Sequence, residues 1–587
     1  MSFEPADVSS LLREPGETSQ LVGIKNMRSH MPDLDLSRYI HNPGPKAAVR
    51  GLKAACSTDN AIVTETILNI LAEGGNAVDA CVAGCMVQAA VEPYMTNHAG
   101  SVSVLYYEAA TGALHQLDSI GFFPSGLAPM RPIPQMPGGY AASPPAACIP
   151  GFMPGLKALH ARFSTMGWSR LCADAIRWAE EGHPVSTFEA HVNAYGEDFI
   201  TYFPEGRNLY LQNGFFPNVG EIFANKPLAE TLRRVAEDPD HMITGAWADR
   251  FISKANAMGW PITKAHMTET PPRWIDPLRI PHNEFEIIGL GAPQGQGLFI
   301  AMVLGILRHL DIRKVEPGSA EHVFYMAHAL RFGLYHLGFA GDTQVVADYA
   351  VQQLLDDDFH RAAAKLIKGL RPKVDLSEHV KLTSRPGGPN AGIPGGASAE
   401  DRQHSGSCEI SIVDQNGNWL QMMNTLQSGG IPGQVIDGVP MIGSHASFHQ
   451  VGARAVTLTP GARMRGVMGN TLVFKDGKPV LSLGTPGNVY CTVPQVLTYI
   501  LDFKLDPYAA ADAPRMLPLA EDNSVIVEDR LSAETVKKVQ SMGVTVRAAQ
   551  PYDFHMGSFQ MCFRDPKTGE LGATADPRRY GVADGLR

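Results

Sequence analysis

The feature that most constrains this chain is an abrupt change of character at residue 407. Residues 386–406 have the sequence PGGPNAGIPGGASAEDRQHSG, which is rich in glycine and proline and has almost no large apolar side chain. Such a stretch predicts an exposed, flexible segment of the kind at which chains are cut. The residues after Ser407 form two short apolar runs around Asn416-Gly417, a strong hairpin signal. We therefore expect two parts, residues 49–406 and residues 407–587.

Composition limits the classes of protein to which the chain can belong. The 587 residues are 44% hydrophobic and 18% charged, so they can bury a sizeable core. The formal charge is −10 and no strongly basic block is present, so no nucleic-acid partner is expected. The N-terminus lacks the pattern of a signal peptide, and the apolar run Leu298–Leu307 is too short to cross a bilayer. From these observations we expect a cytoplasmic protein without a membrane partner.

The eight cysteines do not form a metal-binding pattern. No CxxC pair and no HExxH motif occurs. Cys81 and Cys85 are four residues apart on a predicted helix, a spacing that suits either a metal or two small core residues. The core interpretation is favoured, and neither a metal nor a cofactor is predicted.

The N-terminal third begins with a polar segment and continues with helices. Residues 1–48 are predicted to form an extension outside the core. Within residues 60–91 the pattern predicts a long helix that stops at Gly74-Gly75 and restarts near Asn76.

The rest of the chain mixes strands with helices. Alternating residues within 102–117 predict strands around Thr111-Gly112, and a second hairpin is predicted around Asp476-Gly477. Four further segments favour helices: 151–182, 298–310, 494–503 and 533–542. Hairpins interspersed with helices favour a layered α+β fold over a repeat of β-α-β units.

Ser407 is the first candidate for chemistry because it stands where the flexible segment meets the strand. If the chain is cut between Gly406 and Ser407, the new α-amino group lies beside the hydroxyl. An α-amine has a pKa of about 7.7–8.0, so part of it is free base at neutral pH and can take the hydroxyl proton. Without other context, a serine after a glycine-rich stretch is an ordinary loop residue. Cys408 is a rival nucleophile one residue further on.

Of three other candidate segments, two each allow two interpretations and one is excluded. The loop Gly484–Asn488 follows an apolar strand, so its backbone N–H groups could form an oxyanion hole or a plain turn. The glycines of Gly289–Gly297 do not have the spacing of a nucleotide-binding loop, which excludes that interpretation. His445 and His449 could line a pocket or simply face solvent.

Six sets of short motifs follow one another in a fixed order over residues 48–580. They are Gly74–Ala80 with Val91-Glu92-Pro93, Pro150-Gly151 with residues 175–186, Pro293–Gly297, Ser411–Asp414 with Gly417-Asn418 and Thr425-Leu426, Gly484–Gly487, and Gly572–Arg578. Together they resemble the gamma-glutamyltranspeptidase family of N-terminal-nucleophile hydrolases. The order of the motifs is far more specific than any one of them.

The resemblance implies a fold, a maturation step and a set of site residues. The fold is a four-layer αββα sandwich, and the precursor cuts itself into a large and a small subunit. The family nucleophile is a threonine, and its position falls on Ser407, which can do the same chemistry. Thr425 falls on the family threonine that contacts the new α-amine. Gly487 and Asn488 fall on the pair whose backbone N–H groups hold the oxyanion.

The departures from the family lie in the residues that recognise the substrate. The arginine that binds the glutamate α-carboxylate is Ile120 here, and the stretch that carries an acid for the α-amine ends at His449 without an acid. A pair of carboxylate-binding serines is Gly466-Val467, and an asparagine near Thr425 is Gln427. A glutamyl head group would stay unpaired in such a desolvated pocket, which is costly.

The sequence therefore predicts a self-processing amide hydrolase or acyltransferase that acts on a small acyl amide and not on a standard γ-glutamyl compound. One alternative is a true γ-glutamyltransferase or glutathione hydrolase with relocated binding residues. Another is an uncleaved paralogue without activity. The expected partners are the two subunits of one precursor, and the resemblance leaves a dimer of these heterodimers open.

Overall fold

The computed structural model describes residues 43–126, 148–292, 294–337, 349–370, 406–426, 430–431, 433–441, 461, 463, 468–519 and 523–587. The strands, in chain order, are β1 (Val49–Leu52), β2 (Ala54–Thr58), β3 (Ser101–Glu108), β4 (Ala113–Ser119), β5 (His183–Pro184), β6 (Ile222–Phe223), β7 (Arg273–Ile275), β8 (Leu278–His282), β9 (Phe285–Gly289), β10 (Ser407–Val413), β11 (Trp419–Thr425), β12 (Val435–Ile436), β13 (Val439–Pro440), β14 (Thr471–Lys475), β15 (Lys478–Gly484), β16 (Met516–Pro518), β17 (Ser524–Glu528), β18 (Thr545–Ala549), β19 (Gln560–Arg564), β20 (Leu571–Ala575) and β21 (Val582–Leu586).

The α-helices are α1 (Ala61–Ala72), α2 (Ala77–Val91), α3 (Phe152–Phe163), α4 (Trp168–Glu181), α5 (Thr187–Tyr195), α6 (Glu197–Ile200), α7 (Pro204–Tyr210), α8 (Lys226–Glu237), α9 (Ala246–Ala257), α10 (Gln296–His309), α11 (Ala320–Leu337), α12 (Tyr349–Leu355), α13 (Asp357–Gly369), α14 (Val489–Leu497), α15 (Pro507–Asp512) and α16 (Ala533–Ser541). Short 3₁₀ turns span Lys264–Thr268, Ile312–Lys314 and Phe554–Met556, and a π-helical turn spans Thr498–Asp502. None of the helices that the structure describes is long and apolar enough to cross a membrane.

The predicted helix break at Gly74-Gly75-Asn76 is confirmed. Helix α1 ends at Ala72, and Asn76 caps α2 by accepting hydrogen bonds from the backbone N–H groups of Val78 and Asp79. The Asp79 carboxylate in turn accepts from the Asn76 N–H at 2.9 Å, which completes a capping box. The helix therefore restarts where the sequence predicts.

The two predicted hairpins are also confirmed. Strands β10 and β11 pair around Asn416-Gly417, and β14 and β15 pair around Asp476-Gly477. Gly417 and Gly477 both have positive φ, as such tight turns require. One predicted helix, at 494–503, differs from the structure, where α14 begins at Val489 and holds Pro494 in its interior. Because proline favours the first turn of a helix, it marks the helix start wrongly here.

Two seven-stranded sheets form the centre of the molecule. The first sheet has the order β21-β2-β10-β11-β3-β4-β7, and the second sheet has the order β1-β20-β19-β15-β14-β9-β8. Their inner faces meet, as in the 2.6 Å hydrogen bond between the hydroxyls of Ser411 on β10 and Ser482 on β15. Helices α1–α4 share the core of the first sheet, and α10, α11, α13 and α14 share the core of the second sheet. The four-layer αββα sandwich is confirmed.

The described end of the N-terminal extension lies against the last part of the chain. The Gly44 N–H donates to the Pro577 carbonyl at 2.7 Å. The Lys46 ammonium donates to the carbonyl of Gly581 at 2.9 Å and also to that of Arg579. Burial lowers the pKa of Lys46 to about 8, while the carboxylates of Asp576 and Asp59 oppose that change. Residues 43–46 are thus in contact with the segment that precedes β21.

Candidate active site

Ser407 is the first residue of β10, in the middle of the first sheet. It pairs with Thr425, the last residue of β11, in the antiparallel register of the two strands. Both side chains are almost fully buried. The hairpin geometry therefore brings together two hydroxyls that are 18 residues apart in the chain, at 2.8 Å from each other.

Both hydroxyls donate to the carbonyl of the peptide bond between Gly406 and Ser407, which is the bond expected to be cut. The Ser407 Oγ and the Thr425 Oγ1 are each 2.7 Å from the carbonyl oxygen of Gly406. The Ser407 hydroxyl, the predicted nucleophile, is therefore next to the carbonyl that it would attack. The Thr425 hydroxyl is a donor aimed at the oxygen on which negative charge would develop.

The carbonyl of Gly406 is held in a space that admits no side chain. A Cβ at position 406 would lie 2.7 Å from the Cα of Met95 and 2.8 Å from the Cδ2 of Leu426. The first of these atoms is backbone and cannot move aside. Only glycine therefore fits between Met95 and Leu426 at this position. The sequence did not reveal this packing requirement.

The predicted oxyanion pair lies between β15 and α14. Gly487 has a φ of +80°, and Asn488 occupies the N-cap position of α14 without a side-chain cap bond. A Cβ at Gly487 would lie 3.1 Å from the Nη2 of Arg579, whose Nη1 donates to the Ser407 carbonyl at 3.3 Å. The loop therefore lies on one side of the Arg579 guanidinium and Ser407 on another, and the loop is at the positive end of a helix.

Cys408 points away from Ser407 because successive side chains of a strand alternate between its two faces. Its Sγ is 3.5 Å from the Oε2 of Glu92, and it packs in a small apolar cluster with Tyr94 and Met95. Burial raises the pKa of the Cys408 thiol well above its usual range, and the charge of Glu92 adds to the rise. A neutral, enclosed thiol is a poor nucleophile.

Three acids are buried close to Ser407: Asp59 and Glu409, which no sequence motif singled out, and Glu92 of the Val91-Glu92-Pro93 motif. Burial raises the pKa of Asp59 to about 6 against the opposing charge of Arg579. Burial, with the charge of Asp59, raises the pKa of Glu92 to about 8. Burial likewise raises the pKa of Glu409 well above its usual range, although Gln421 donates to it at 2.7 Å. Burial therefore shifts all three carboxyls toward the neutral form, but Asp59, with a pKa of about 6 beside Arg579, is still mostly ionised at neutral pH.

Ile120, which the sequence resemblance predicts to stand at the family arginine position, is fully buried after β4 and belongs to the core of the first sheet. Its carbonyl accepts a hydrogen bond at 2.6 Å from Arg463, a buried arginine of the C-terminal part. The Arg463 guanidinium also bonds to the carbonyls of Thr270 and Pro271 and lies 3.5 Å from Asp118. The guanidinium of Arg463 thus bonds to backbone carbonyls of the protein itself, and one of these bonds fixes the position of Ile120.

Five of the predicted substrate-binding residues lie outside the described residues: Gln427, His445, His449, Gly466 and Val467. Their assignment stays a prediction. Cys81 and Cys85 lie in the core of the first sheet, against the sulfur of Met422. In the part of the chain that the structure describes, no three His, Cys, Asp or Glu side chains form a group that could hold a metal ion.

The chain as a whole is similar to several known proteins. A family model described as gamma-glutamyltranspeptidase matches residues 63–586. The chain is 27% identical over 542 residues to the glutathione hydrolase proenzyme of Pseudomonas aeruginosa, covering 87% of this chain and 91% of the relative. It is 25% identical to the oxamate amidohydrolase proenzyme of Klebsiella pneumoniae, covering 89% of this chain and 97% of the relative. The solved structure of cephalosporin acylase from Bacillus halodurans has the same fold, with a TM-score of 0.76 at 21% identity, over 93% of this chain and 98% of that chain.

Proposed function

Since the chain belongs to the gamma-glutamyltranspeptidase family, a group of N-terminal-nucleophile enzymes made as one precursor, we propose that it is a self-processing amide hydrolase or acyltransferase that acts on a small acyl amide. The substrate is not a standard γ-glutamyl compound. The observation that carries the proposal is the pair of hydroxyls, from Ser407 and Thr425, on the carbonyl oxygen of Gly406.

The first reaction is the cut of the chain itself. The Ser407 Oγ attacks the carbonyl carbon of Gly406, and its proton passes to the Ser407 nitrogen as the peptide C–N bond breaks. This leaves an ester between Gly406 and the Ser407 hydroxyl. Water then splits the ester, which gives a carboxylate on Gly406 and a free α-amine on Ser407. The Thr425 hydroxyl stabilises the oxyanion of the tetrahedral intermediate.

The second reaction uses the same hydroxyl on a substrate. The α-amine of Ser407 takes the hydroxyl proton while the oxygen attacks the amide carbonyl. The N–H groups of Gly487 and Asn488 hold the oxyanion, and the leaving amine departs with the proton. Water or an acceptor amine then releases the acyl group from the ester and restores the hydroxyl.

The proposed substrate class rests on what replaces the family's charged groups. Ile120 is fully buried, and the neighbouring Arg463 is occupied by backbone carbonyls. A substrate carboxylate would have to take Arg463 away from Ile120 and Thr270, leaving buried carbonyls without donors, which costs about 1–3 kcal/mol for each. A relative named for oxamate supports the view that the family accepts acyl groups other than γ-glutamyl.

The alternative within the family is a glutathione hydrolase, and the relative from Pseudomonas aeruginosa favours it. In that case the carboxylate and the amine of the glutamyl group would be bound by residues other than those at positions 120 and 449. The third possibility is a precursor that stays uncut and has no activity.

One experiment separates the three. Purified protein is first analysed by denaturing gel and intact mass, where self-cleavage gives two fragments from the 63.4 kDa chain, the smaller of them residues 407–587. The mature protein is then assayed against a panel of small acyl anilides and against a γ-glutamyl anilide. Turnover of a non-glutamyl anilide in preference to the γ-glutamyl one supports the proposal. The reverse preference supports the glutathione hydrolase, and an intact chain without turnover supports the inactive paralogue.

A further inference from the structure

Strand β2, the neighbour of β10, ends before it reaches the position opposite Ser407. Strand β2 pairs with β10 only from Ile410, opposite Thr58, to Val413, opposite Ala55. The chain then leaves β2 at Thr58 and turns into α1. Among the residues that the structure describes, the first three of β10, which include Ser407, therefore have a strand neighbour on the β11 side but none on the β2 side.

A carboxylate occupies the place where β2 would have continued. The Oδ2 of Asp59, the residue after β2, accepts the backbone N–H of Glu409 at 2.8 Å. Its Oδ1 accepts from the Ser558 hydroxyl at 3.1 Å and from the Gln560 amide at 2.9 Å. Asp59 is buried and is held on both oxygens, so the amide of Glu409 is tied to a fixed acceptor.

The guanidinium of Arg579 bonds to the backbone of β10 at Ser407. Arg579 stands just before β21, whose residue Val582 is paired with Thr58. Its Nη1 donates to the carbonyl of Ser407 at 3.3 Å. Its own backbone carbonyl is held by the ammonium of Lys46. The N–H of Glu409 is thus bonded to the Asp59 carboxylate, and the C=O of Ser407 is bonded to the Arg579 guanidinium, a group of the opposite charge.

We propose that Asp59 and Arg579 are positioning residues that replace the missing strand and hold the Ser407 end of β10 in place once the chain has been cut. The inference rests on the proposed function, because it concerns the residue assigned there as the nucleophile. If so, loss of Asp59 or Arg579 should slow the reaction of Ser407 with a substrate more than it slows self-cleavage.

The physical reason is the loss of the covalent tether. Before the cut, Gly406 holds Ser407 from the N-terminal side. After the cut, Ser407 is a chain terminus, and termini fray unless they are tied down. A shift of about 1 Å in a nucleophile can lower a rate by about a hundredfold. The two opposite charges also compensate each other, since a single buried charge here would be costly.

The test compares the cut with a reaction of the mature protein. Asp59→Asn, which keeps an acceptor but loses the charge, and Arg579→Gln are expected to change the rate of self-cleavage less than threefold. Acetylation of Ser407 in the mature protein by p-nitrophenyl acetate, followed by the mass of the small fragment, is expected to slow roughly tenfold in each, the loss of one charged hydrogen bond. Arg579→Lys should recover part of the rate, and amide exchange of the first residues of the small fragment should quicken in both variants.

Asp502→Asn is the matched control, because this buried acid bonds to His282 and Asn283 at the far edge of the second sheet. It is expected to leave both rates unchanged. The proposal is overturned if acetylation and exchange are unchanged in the Asp59 and Arg579 variants, or if self-cleavage and acetylation fall by the same factor. If Asp59→Asn does not fold, Arg579→Gln decides by the same comparison, with Arg579→Lys as its rescue. A wild-type protein in which Ser407 is never acetylated refutes the proposed function instead.

Discussion

The hydroxyl of Thr425 donates a hydrogen bond of 2.7 Å to the carbonyl oxygen of Gly406, the atom on which charge would develop in the proposed cut before Ser407. Removing a donor of this kind lowers a rate by about 10²–10³-fold. We expect Thr425→Val to slow self-cleavage by that order, and Thr425→Ser to keep most of the rate. The fraction of uncut chain over time on a denaturing gel measures it. Thr66→Val removes a buried hydroxyl that bonds within α1 and is the control; equal cleavage by Thr425→Val and wild type would contradict the role.

Ser407→Ala should give a folded chain that is neither cut nor active, since the hydroxyl is needed in both reactions and its loss costs the core little. Cys408→Ala should still be cut between Gly406 and Ser407, because the Cys408 thiol lies on the opposite face beside Glu92. Mass mapping of the small fragment is the measurement. A fragment that begins at Cys408, or a Ser407→Ala chain that still cuts itself, would show that the nucleophile lies elsewhere.

Gly406→Ala should slow self-cleavage, because its Cβ would meet the Cα of Met95 at 2.7 Å and push the carbonyl away from the two hydroxyls. A displacement of about 1 Å corresponds to a loss of roughly a hundredfold. Gly369→Ala is the matched control, since its Cβ would have nothing within 4 Å. The first-order rate of cleavage in the two variants decides, and equal rates would mean that the close packing at residue 406 has no bearing on the reaction.

Stability should depend on pH through Glu92. Burial raises the pKa of this carboxyl to about 8 from about 4.5, so between these values the folded state binds more protons than the unfolded state. The stability it contributes is therefore complete below about pH 4.5 and is lost as the pH rises toward 8, at up to about 1.4 kcal/mol per pH unit.

Urea unfolding of Ser407→Ala protein, with and without Glu92→Gln, measures that trend between pH 5 and pH 8. The chain that keeps Glu92 should lose stability relative to the Glu92→Gln variant as the pH rises. Glu73→Gln is the control, because Glu73 is exposed and its pKa is lowered by Arg170, so it does not titrate in this range. A stability difference between the chain with Glu92 and the Glu92→Gln variant that stays constant with pH would refute the assignment.

Standard γ-glutamyl substrates should be poor, and Ile120→Arg alone should not rescue them. The added guanidinium would enter a packed core beside Arg463, and it would serve only the carboxylate of a zwitterion. Ile120→Arg combined with His449→Asp is expected to do better than either change alone, because the two sites bind opposite charges of one head group. The kcat/KM for a γ-glutamyl anilide is the measurement. Wild-type values of about 10⁴ M⁻¹s⁻¹ or more would show that glutamyl recognition has been rebuilt elsewhere.

The sequence by itself determined the local structure and the order of the parts. Asn76 and Asp79 cap a helix, and Asn416-Gly417 turns a hairpin, because these signals act between residues that are neighbours in the chain. The ordered motifs identified the family, and through it the αββα fold. The nucleophile at Ser407 follows from the same motifs and stays a prediction, to which the structure adds the contacts of the Gly406 carbonyl.

Only the tertiary structure brought Asp59 and Arg579 to the backbone of β10 at and near Ser407, and Lys46 to the carbonyl of Arg579. These residues come from the two ends of the chain, and no local pattern distinguishes them from ordinary surface charges. They meet because β21 lies next to β2 and β2 next to β10, and because β2 ends opposite Ile410, three residues short of Ser407. For the same reason, the sequence did not predict the hydrogen bond from Arg463 to the carbonyl of Ile120. Contacts of this kind depend on the order of strands in a sheet, which side-chain patterns along one strand do not encode.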